Sequence, residues 1–278
     1  MSIRKPLSSR NPFFYRISVG LHRLKRRCSW YFSGESYSSN LTDELFPYVV
    51  VSHSSLLLRK LAGTDIDLQK NKVQSLRIAV SFIDGLVVAQ SEVFSFWKLV
   101  GNPVSSRGFP PGLQLSFGKL TSMAGGGLCQ LTNLLHWMVL HTSLGVTERH
   151  RHSTDPFPDY KRIVPFGTGA TVFYNYLDLA FRNNTSSCFQ LKIWLDDEYL
   201  CGEIRCREAL PVAYSIVEKN HRFIRENGIV YRENELWRIE TDRESSRILS
   251  EKLLFKNHVE VLYDVSSVPG LIVEGGKE

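Results

Sequence analysis

The pattern of apolar positions is clearest in the middle of the chain, where it predicts one amphipathic helix. Apolar residues recur at helical spacing in this segment, namely Leu128, Leu131, Leu134, Leu135, Met138 and Val139. Apolar side chains three and four positions apart share one face of an α-helix. Gly145 then provides the residue type that commonly ends a helix. The segment is therefore predicted to be a helix that buries one face.

A second amphipathic pattern lies near the start of the chain. A helix opened by Pro12 carries apolar side chains on one side, namely Phe13, Phe14, Ile17, Leu21 and Leu24. Arg16, Arg23 and Arg27 lie elsewhere on it. Such a helix can lie on an anionic membrane surface. It can also pack its apolar side on the protein's own core, which is common in globular proteins and is what we expect here.

The second half of the chain has β character. Strands are predicted at residues 164–173, 177–182, 189–195, 203–209 and 259–263. Asn227-Gly228, flanked by residues 221–225 and 229–232, is a strong hairpin signal. Residues 54–61 and 73–83 are predicted as helices, the latter followed by a turn and a strand. The glycine- and proline-rich residues 100–120 are predicted as a long ordered loop.

These elements predict an α+β fold. It has N-terminal helices, a central cysteine-bearing helix and a mostly antiparallel C-terminal β-sheet. Four regions are expected along the 278 residues. They are a basic amphipathic arm at 1–34, a connecting helical region at 35–70, a core at 71–208 and a β-rich extension at 209–278.

The charge is uneven along the chain and bears on its partners. Of 34 basic residues, eight precede Cys28, where no acidic residue occurs, so the rest of the chain is close to neutral. A nucleic-acid-binding body would be expected to carry its own positive face, so no nucleic-acid partner is expected. Contact of residues 1–30 with a membrane surface is retained as an alternative. The pattern does not predict an oligomeric state.

The cysteine pattern and the hydropathy predict a compartment. The five cysteines include no Cys-x-x-Cys pair, which argues against a zinc ribbon or a disulfide framework. The N-terminal residues lack the apolar core of a secretory signal, and no apolar run approaches the roughly 20 residues that span a bilayer. A cytoplasmic location is expected, with peripheral contact at the inner membrane surface as an alternative. No cofactor is expected.

The candidate chemistry centres on Cys129. It follows Gly125-Gly126-Gly127 and lies in the first turn of the predicted helix, where the helix dipole favours a thiolate. A strand-like segment then brings His150 and His152 to one face. Cys129 as nucleophile, His152 as general base and a carboxylate as orienting group would form a catalytic site. Asp155 and Asp178 are the candidate carboxylates.

Other residues are candidates for binding or for alternative chemistry. The glycine N–H groups and the side chain of Gln130 could stabilise an oxyanion. Arg107 and Arg149 could hold a substrate carboxylate or phosphate by bidentate contacts. Asp178 could instead pair with a buried arginine, Arg182 or Arg149. Cys129, His150 and His152 could supply three metal ligands, although no metal site is the preferred interpretation.

Several ordered motifs resemble the VanW family. They are Val93-Phe94-Ser95-Phe96-Trp97, Val100-Gly101, Arg107-Gly108-Phe109, Gly125-Gly126-Gly127-Leu128-Cys129-Gln130, Glu148-Arg149-His150, His152-Ser153, Ala170-Thr171-Val172 and Asp178-Leu179. The resemblance covers residues 70 to 195 and is to the short, stand-alone members. It implies an association with glycopeptide resistance and peptidoglycan metabolism. Many relatives carry an aspartate where this chain has Gly169, which leaves the orienting acid to Asp155, Asp159 or Asp178.

Two functions are compatible with these residues. One is a cysteine hydrolase or an acyl/amidotransferase that acts on a cell-wall peptide or precursor. The other is a non-catalytic binding module or adaptor that recognises a peptidoglycan precursor or a partner protein.

Overall fold

The computed structural model describes residues 11–58, 66–116, 119–151, 154–155, 163–174, 176–265 and 272–274. The described helices are α1 Pro12–Phe32, α2 Ile66–Val80, α3 Phe96–Val100 and α4 Cys129–Leu140. The first strands are β1 Tyr48–Leu56, β2 Leu86–Val88, β3 Val93–Ser95, β4 Pro111–Ser116, β5 Lys119–Ala124, β6 Gly145–Glu148, β7 Thr154–Asp155 and β8 Ala180–Arg182. The later strands are β9 Phe189–Leu195, β10 Tyr199–Cys206, β11 Val212–Glu226, β12 Ile229–Asp242, β13 Ile248–Val261 and β14 Ile272–Glu274.

The core forms where α4 packs on an antiparallel sheet with the strand order β1-β10-β9-β2. The face of α4 predicted to be buried is buried, including Leu131, Leu135 and Met138 at 0% exposure. A Cβ on Gly202 of β10 would lie 2.7 Å from Cε of Met138, so the missing side chain lets helix and sheet approach closely. Burial of this apolar face is the main favourable contribution to folding in this region.

A second sheet, of order β3-β8-β6, lies beside this core and carries several polar residues discussed below. Phe94 on β3 stacks on Phe181 on β8, with ring centroids 4.4 Å apart. β4 and β5 form a separate two-stranded hairpin that leads into the turn before α4. Part of the segment predicted as a long loop is therefore regular β-structure.

The C-terminal part of the chain forms a sheet of order β14-β11-β12-β13-β7. The hairpin predicted at Asn227-Gly228 is confirmed, because β11 and β12 pair antiparallel on either side of it. Both turn residues have positive φ, 50° and 81°, as a type I′ turn requires. β7 comes from the middle of the chain and pairs parallel with β13, so this sheet includes a strand from before residue 160.

The predicted α+β class is confirmed, since helices accompany mostly antiparallel sheets. Two local predictions are wrong. Of residues 54–61, predicted as a helix, residues 54–56 are the end of β1 and pair with β10, whereas residues 59–61 lie outside the described residues. Residues 164–173, predicted as a strand, form turns and extended chain that bond to α4 and to neighbouring loops.

The apolar side of α1 does not pack on the core, which corrects the expectation for this helix. Phe13, Leu21 and Leu24 are 64%, 62% and 58% exposed, whereas Arg23, Arg26 and Trp30 face the protein and are half-buried. Among the described residues, no helix is both long and apolar enough to cross a membrane.

Candidate functional site

The triple-glycine turn before α4 is shaped by close backbone packing. A Cβ on Gly126 would lie 2.1 Å from the carbonyl oxygen of Gly112, and one on Gly127 would lie 2.1 Å from Cγ of Lys72. Gly127 also has a φ of +92°, which side chains disfavour. Gly125 and Gly126 already donate their N–H groups, to Pro110 and Met123 respectively. Two of the three glycine N–H groups predicted to bind an oxyanion therefore already donate to main-chain carbonyl groups.

Cys129 is the first residue of α4, as the sequence predicts. Its Sγ lies 3.9 Å from the carbonyl oxygen of Val172 and is close enough to donate a weak hydrogen bond. Burial raises the pKa of the Cys129 thiol, and the lowering by its backbone hydrogen bonds, including the one to Val172, is smaller. A stabilised thiolate at Cys129 therefore stays a prediction.

Of the two histidines expected near Cys129, only His150 is among the described residues, and its ring contacts Glu148. His150 directs Nε2 toward Glu148, with a distance of 3.0 Å to Oε1. Its carbonyl oxygen accepts a hydrogen bond from Thr171, in the same loop that contacts Cys129. His152, the predicted general base, lies outside the described residues, as do Ser153 and Asp159. The Cys129–His152 pairing therefore stays a prediction.

Gln130 and Arg107 have local structural partners. The side-chain amide of Gln130 donates to Oγ of Ser55 at 3.0 Å and to the carbonyl oxygen of Leu56 at 2.9 Å. It thereby ties the first turn of α4 to β1. Arg107 donates to the carbonyl oxygens of Val100 and Asn102 at 2.8 and 2.9 Å. These contacts close the loop after α3.

Asp155 lies in a different part of the molecule from α4. It is 5% exposed on β7, and its Oδ2 lies 3.2 Å from Nη1 of Arg232 on β12. The hydroxyl of Tyr263 donates to the same oxygen at 3.3 Å. The contacts of its carboxylate with Arg232 and Tyr263 join β7 to β12 and to the segment after β13.

Asp178 is 1% exposed and is held by hydrogen bonds rather than by an arginine. Oδ2 accepts from Oγ of Ser95 at 2.6 Å, and Oδ1 accepts from the N–H groups of Trp97 and Leu179 at 3.1 and 2.9 Å. Burial raises the pKa of Asp178 to about 6, although the hydrogen bonds from Ser95 and Trp97 lower it. No hydrogen bond among the described residues joins Asp178 to Cys129.

The predicted pairing of Asp178 with Arg182 or Arg149 is wrong, because both guanidinium groups are used elsewhere. Arg182 forms an ion pair with Glu35. Nε of Arg149 donates to Gly169 at 2.9 Å, and its Nη2 donates to Gly167. Arg149 therefore fixes the loop that includes the family's usual acidic position.

Glu148 is a residue of this region whose role the sequence did not predict. Arg26 on α1 donates to both of its oxygens, at 2.5 and 2.6 Å, and the N–H of Asp178 donates to Oε1 at 3.0 Å. Burial opposes ionisation of Glu148, but the hydrogen bonds from Arg26, His150 and Asp178 outweigh it and lower the pKa. A pocket of about 260 Å³ lies beside these residues. No periodic or spacing signal in the sequence connects residue 26 to residue 148.

A larger pocket, of about 400 Å³, lies between α4, β6 and β13 and is called the cationic pocket here. Its basic residues are Arg149, Arg238 and Lys252, and no lining residue is acidic. Arg238 lies 3.5 Å from Glu240, which does not line the pocket. Its Nε has no hydrogen-bond partner among the described residues. Lys252 is exposed and lies opposite Arg238 in the β12–β13 ladder.

The electrostatics of the cationic pocket favour an anionic ligand. Burial, together with the nearby Arg151, lowers the pKa of Arg149 to about 10. Its guanidinium stacks on Phe255, 4.5 Å from the ring centroid, and its described hydrogen-bond acceptors are uncharged carbonyl groups. A desolvated cation without a carboxylate is unfavourable, and an incoming anion would relieve this.

His136 adds a polar atom to the wall of this pocket. Its Nδ1 lies 2.6 Å from the carbonyl oxygen of Thr168, so Nδ1 carries the proton of the neutral ring. Burial lowers the pKa of His136 to about 3. The remaining lone pair on Nε2 is buried and has no partner among the described residues. His136 is itself 0% exposed, so it lies behind the surface of the pocket rather than open to it.

Within the described part of the chain, no group of three His, Cys, Asp or Glu residues is arranged to hold a metal ion. The alternative set of Cys129, His150 and His152 includes a residue outside that part. Of its two described members, His150 contacts Glu148 and Cys129 contacts Val172.

Comparison with known proteins gives a consistent result. A family model described as VanW like protein matches residues 71–205. The vancomycin B-type resistance protein VanW of Enterococcus faecalis (strain ATCC 700802 / V583) is 31% identical over 260 residues, which are 94% of this chain and 94% of that protein. The uncharacterized protein YoaR of Bacillus subtilis (strain 168) is 30% identical over 115 residues, which are 41% of this chain and 36% of that protein. No solved structure gives a significant match.

Proposed function

The chain belongs to the VanW family, and we propose that it contributes to vancomycin resistance by binding a peptidoglycan peptide or precursor in the cationic pocket. The observation that carries this proposal is the set of three basic residues, Arg149, Arg238 and Lys252, around a cavity with no acidic lining residue. The relative that covers 94% of this chain is named for vancomycin resistance, which supplies the biological setting.

The chemistry of the pocket suits part of such a ligand. Peptidoglycan peptides end in carboxylates, and their activated precursors carry diphosphate groups. Cationic side chains attract both groups, and Lys252 adds a point charge at the exposed side of the pocket.

Binding without covalent chemistry agrees best with the contacts of Cys129. Its raised thiol pKa and its contact with a main-chain carbonyl group are typical of a buried structural cysteine. The second candidate function is the cysteine hydrolase or acyl/amidotransferase. The observation in its favour is the position of Cys129 at the start of α4, directly after a glycine turn. Under that alternative, Cys129→Ala abolishes turnover of a cell-wall peptide.

The binding proposal is tested by calorimetric titration with three probes. They are a nucleotide-linked muramyl pentapeptide, the free pentapeptide and inorganic diphosphate. We expect saturable binding of at least one probe, weakened by added salt because the contacts are charged. The double variant Arg238→Gln/Lys252→Ala should weaken that binding by about tenfold or more, from two lost charge contacts of roughly 1 kcal/mol each.

Lys256→Ala is the matched control, because Lys256 is also an exposed lysine of β13 and does not line the pocket. It should leave binding unchanged. Equal binding by the wild type and the double variant would contradict the assignment of the pocket. Absence of binding to all three probes would also contradict it. Cells whose only copy carries the double variant should show reduced growth in vancomycin relative to cells with Lys256→Ala.

A further inference from the structure

The outer side of α1 is a continuous apolar surface that no described residue covers. Helical spacing places seven apolar or aromatic side chains along it, namely Phe13, Phe14, Ile17, Leu21, Leu24, Tyr31 and Phe32. Each of these side chains is between 44% and 85% exposed. A contiguous exposed patch of this kind marks an interaction surface more often than chance exposure does.

The opposite side of α1 is fixed to the protein by polar and ring contacts. Arg26 forms the ion pair with Glu148, and the guanidinium of Arg23 lies 5.1 Å from the ring centroid of Tyr174. His22 contacts Tyr176 edge to face at 4.6 Å. Because the polar side is used for docking, the apolar side must point away from the protein. The orientation of the helix is therefore the reverse of the usual amphipathic arrangement.

The charge around the apolar surface indicates the chemistry of its partner. Arg16, Lys25 and Arg27 are exposed on α1, and the helix contains no acidic residue. Upstream of the helix, the sequence adds Arg4, Lys5 and Arg10, and the first acidic residue of the chain is Glu35. Apolar and aromatic side chains flanked by basic ones are typical of helices that lie in the interface of an anionic bilayer.

We propose that α1 docks the protein on an anionic lipid surface, with its axis parallel to the membrane plane. The apolar side chains enter the boundary between headgroups and acyl chains, and Arg16, Lys25 and Arg27 contact lipid phosphates. A second copy of the chain fits this surface less well, because two antiparallel copies of α1 would bring only positive charges together. This proposal does not depend on the cationic pocket.

Flotation of the full-length protein with lipid vesicles tests the proposal. Vesicles of phosphatidylcholine with 30% phosphatidylglycerol should bind the protein, and pure phosphatidylcholine vesicles should bind it far more weakly. Each basic residue near an anionic surface contributes about fivefold, so three exposed cations give a difference on the order of a hundredfold. Leu21→Glu/Leu24→Glu should lower binding to the anionic vesicles at least tenfold.

Two controls distinguish lipid docking by α1 from nonspecific adhesion to vesicles and from self-association. Leu249→Glu changes an exposed leucine of β13, 49% exposed and outside α1, and should bind vesicles like the wild type. A bimane label on the exposed Cys28 of α1 should shift its emission to the blue with anionic vesicles. Equal binding to both vesicle types, no binding to either, or a dimer lost in Leu21→Glu/Leu24→Glu without vesicle binding would overturn the proposal.

Discussion

Arg26 on α1 and Glu148 on β6 form a bidentate ion pair between residues 122 positions apart in the sequence. Both side chains are about three-quarters buried, and Glu148 also accepts from Asp178 and contacts His150. One carboxylate therefore joins the N-terminal helix to the β3-β8-β6 sheet. The orientation of α1, and hence the outward direction of its apolar surface, depends on this pair.

Replacing Glu148 with Gln should loosen α1. The change leaves the partly buried Arg26 without a counter-charge, so we expect a loss of about 1–3 kcal/mol in the free energy of unfolding. Hydrogen exchange of the α1 amides should accelerate more than that of α4. Glu251→Gln removes a more exposed pair with Lys219 and should cost less than about 1 kcal/mol. Equal exchange rates in α1 of the wild type and Glu148→Gln would contradict this role.

Asp178 should make the protein less stable as the pH rises from about 4 to 6. Its pKa is about 6 when folded and 3.8 ordinarily, so the folded state binds more protons between these values. Two pKa units correspond to about 3 kcal/mol. Asp178→Asn keeps the acceptor for Trp97 and Leu179 and donates to Ser95, so its stability relative to wild type should increase by about that amount from pH 4 to pH 7.5.

Urea denaturation across that pH range measures the effect of Asp178. Asp43→Asn, at an exposed carboxylate, is the control and should leave the pH profile close to that of the wild type. An Asp178→Asn profile parallel to the wild-type profile would contradict this prediction, because it would show that folding does not raise the pKa of Asp178.

Gly126→Ala should destabilise the protein strongly. The new methyl group would lie 2.1 Å from the carbonyl oxygen of Gly112, and both partners are backbone, so neither can move aside cheaply. We expect a loss of about 3 kcal/mol or more in thermal or urea unfolding. Gly20→Ala on α1 meets no atom within 4 Å and should be neutral or stabilising by up to about 1 kcal/mol. Comparable stability of the two variants would refute the close approach at Gly112.

Cys129 should react slowly with iodoacetamide. Its side chain is partly buried and burial raises its thiol pKa, whereas Cys28 is exposed on α1. At pH 8, peptide mass spectrometry should show Cys28 modified at least about tenfold faster than Cys129. In Cys28→Ser, Cys129 should remain slow. Faster reaction at Cys129 than at Cys28 would favour the thiolate nucleophile of the second candidate function.

Local sequence patterns predicted the elements whose conformation depends on neighbouring residues in the sequence. The helical spacing before Gly145 predicted α4, and Asn227-Gly228 predicted the hairpin because both residues accept positive φ. The direction in which α1 faces could not be predicted this way. It depends on an ion pair with Glu148, and nothing in the periodicity of the helix indicates a partner so distant in sequence.

In the candidate site, too, the sequence predicted individual residues but not the contacts between residues distant in sequence. Arg149 was predicted to bind an anion, and the structure places it in a cavity with two further cations from β12 and β13. Those cations lie about 90 residues or more beyond Arg149 in sequence, so no local motif could group them. Cys129 was predicted at the helix start, where it is found, but the burial that raises its pKa depends on loop packing.

The cationic pocket is built from two segments, of which the family model matches only one. His136 and Arg149 lie inside the part of the chain that matches the family model, residues 71–205, whereas Arg238 and Lys252 lie beyond it. One wall can therefore change by substitutions in β12 and β13 that leave every family motif intact. Under the binding proposal, ligand preference can diverge while the recognisable sequence signature stays the same.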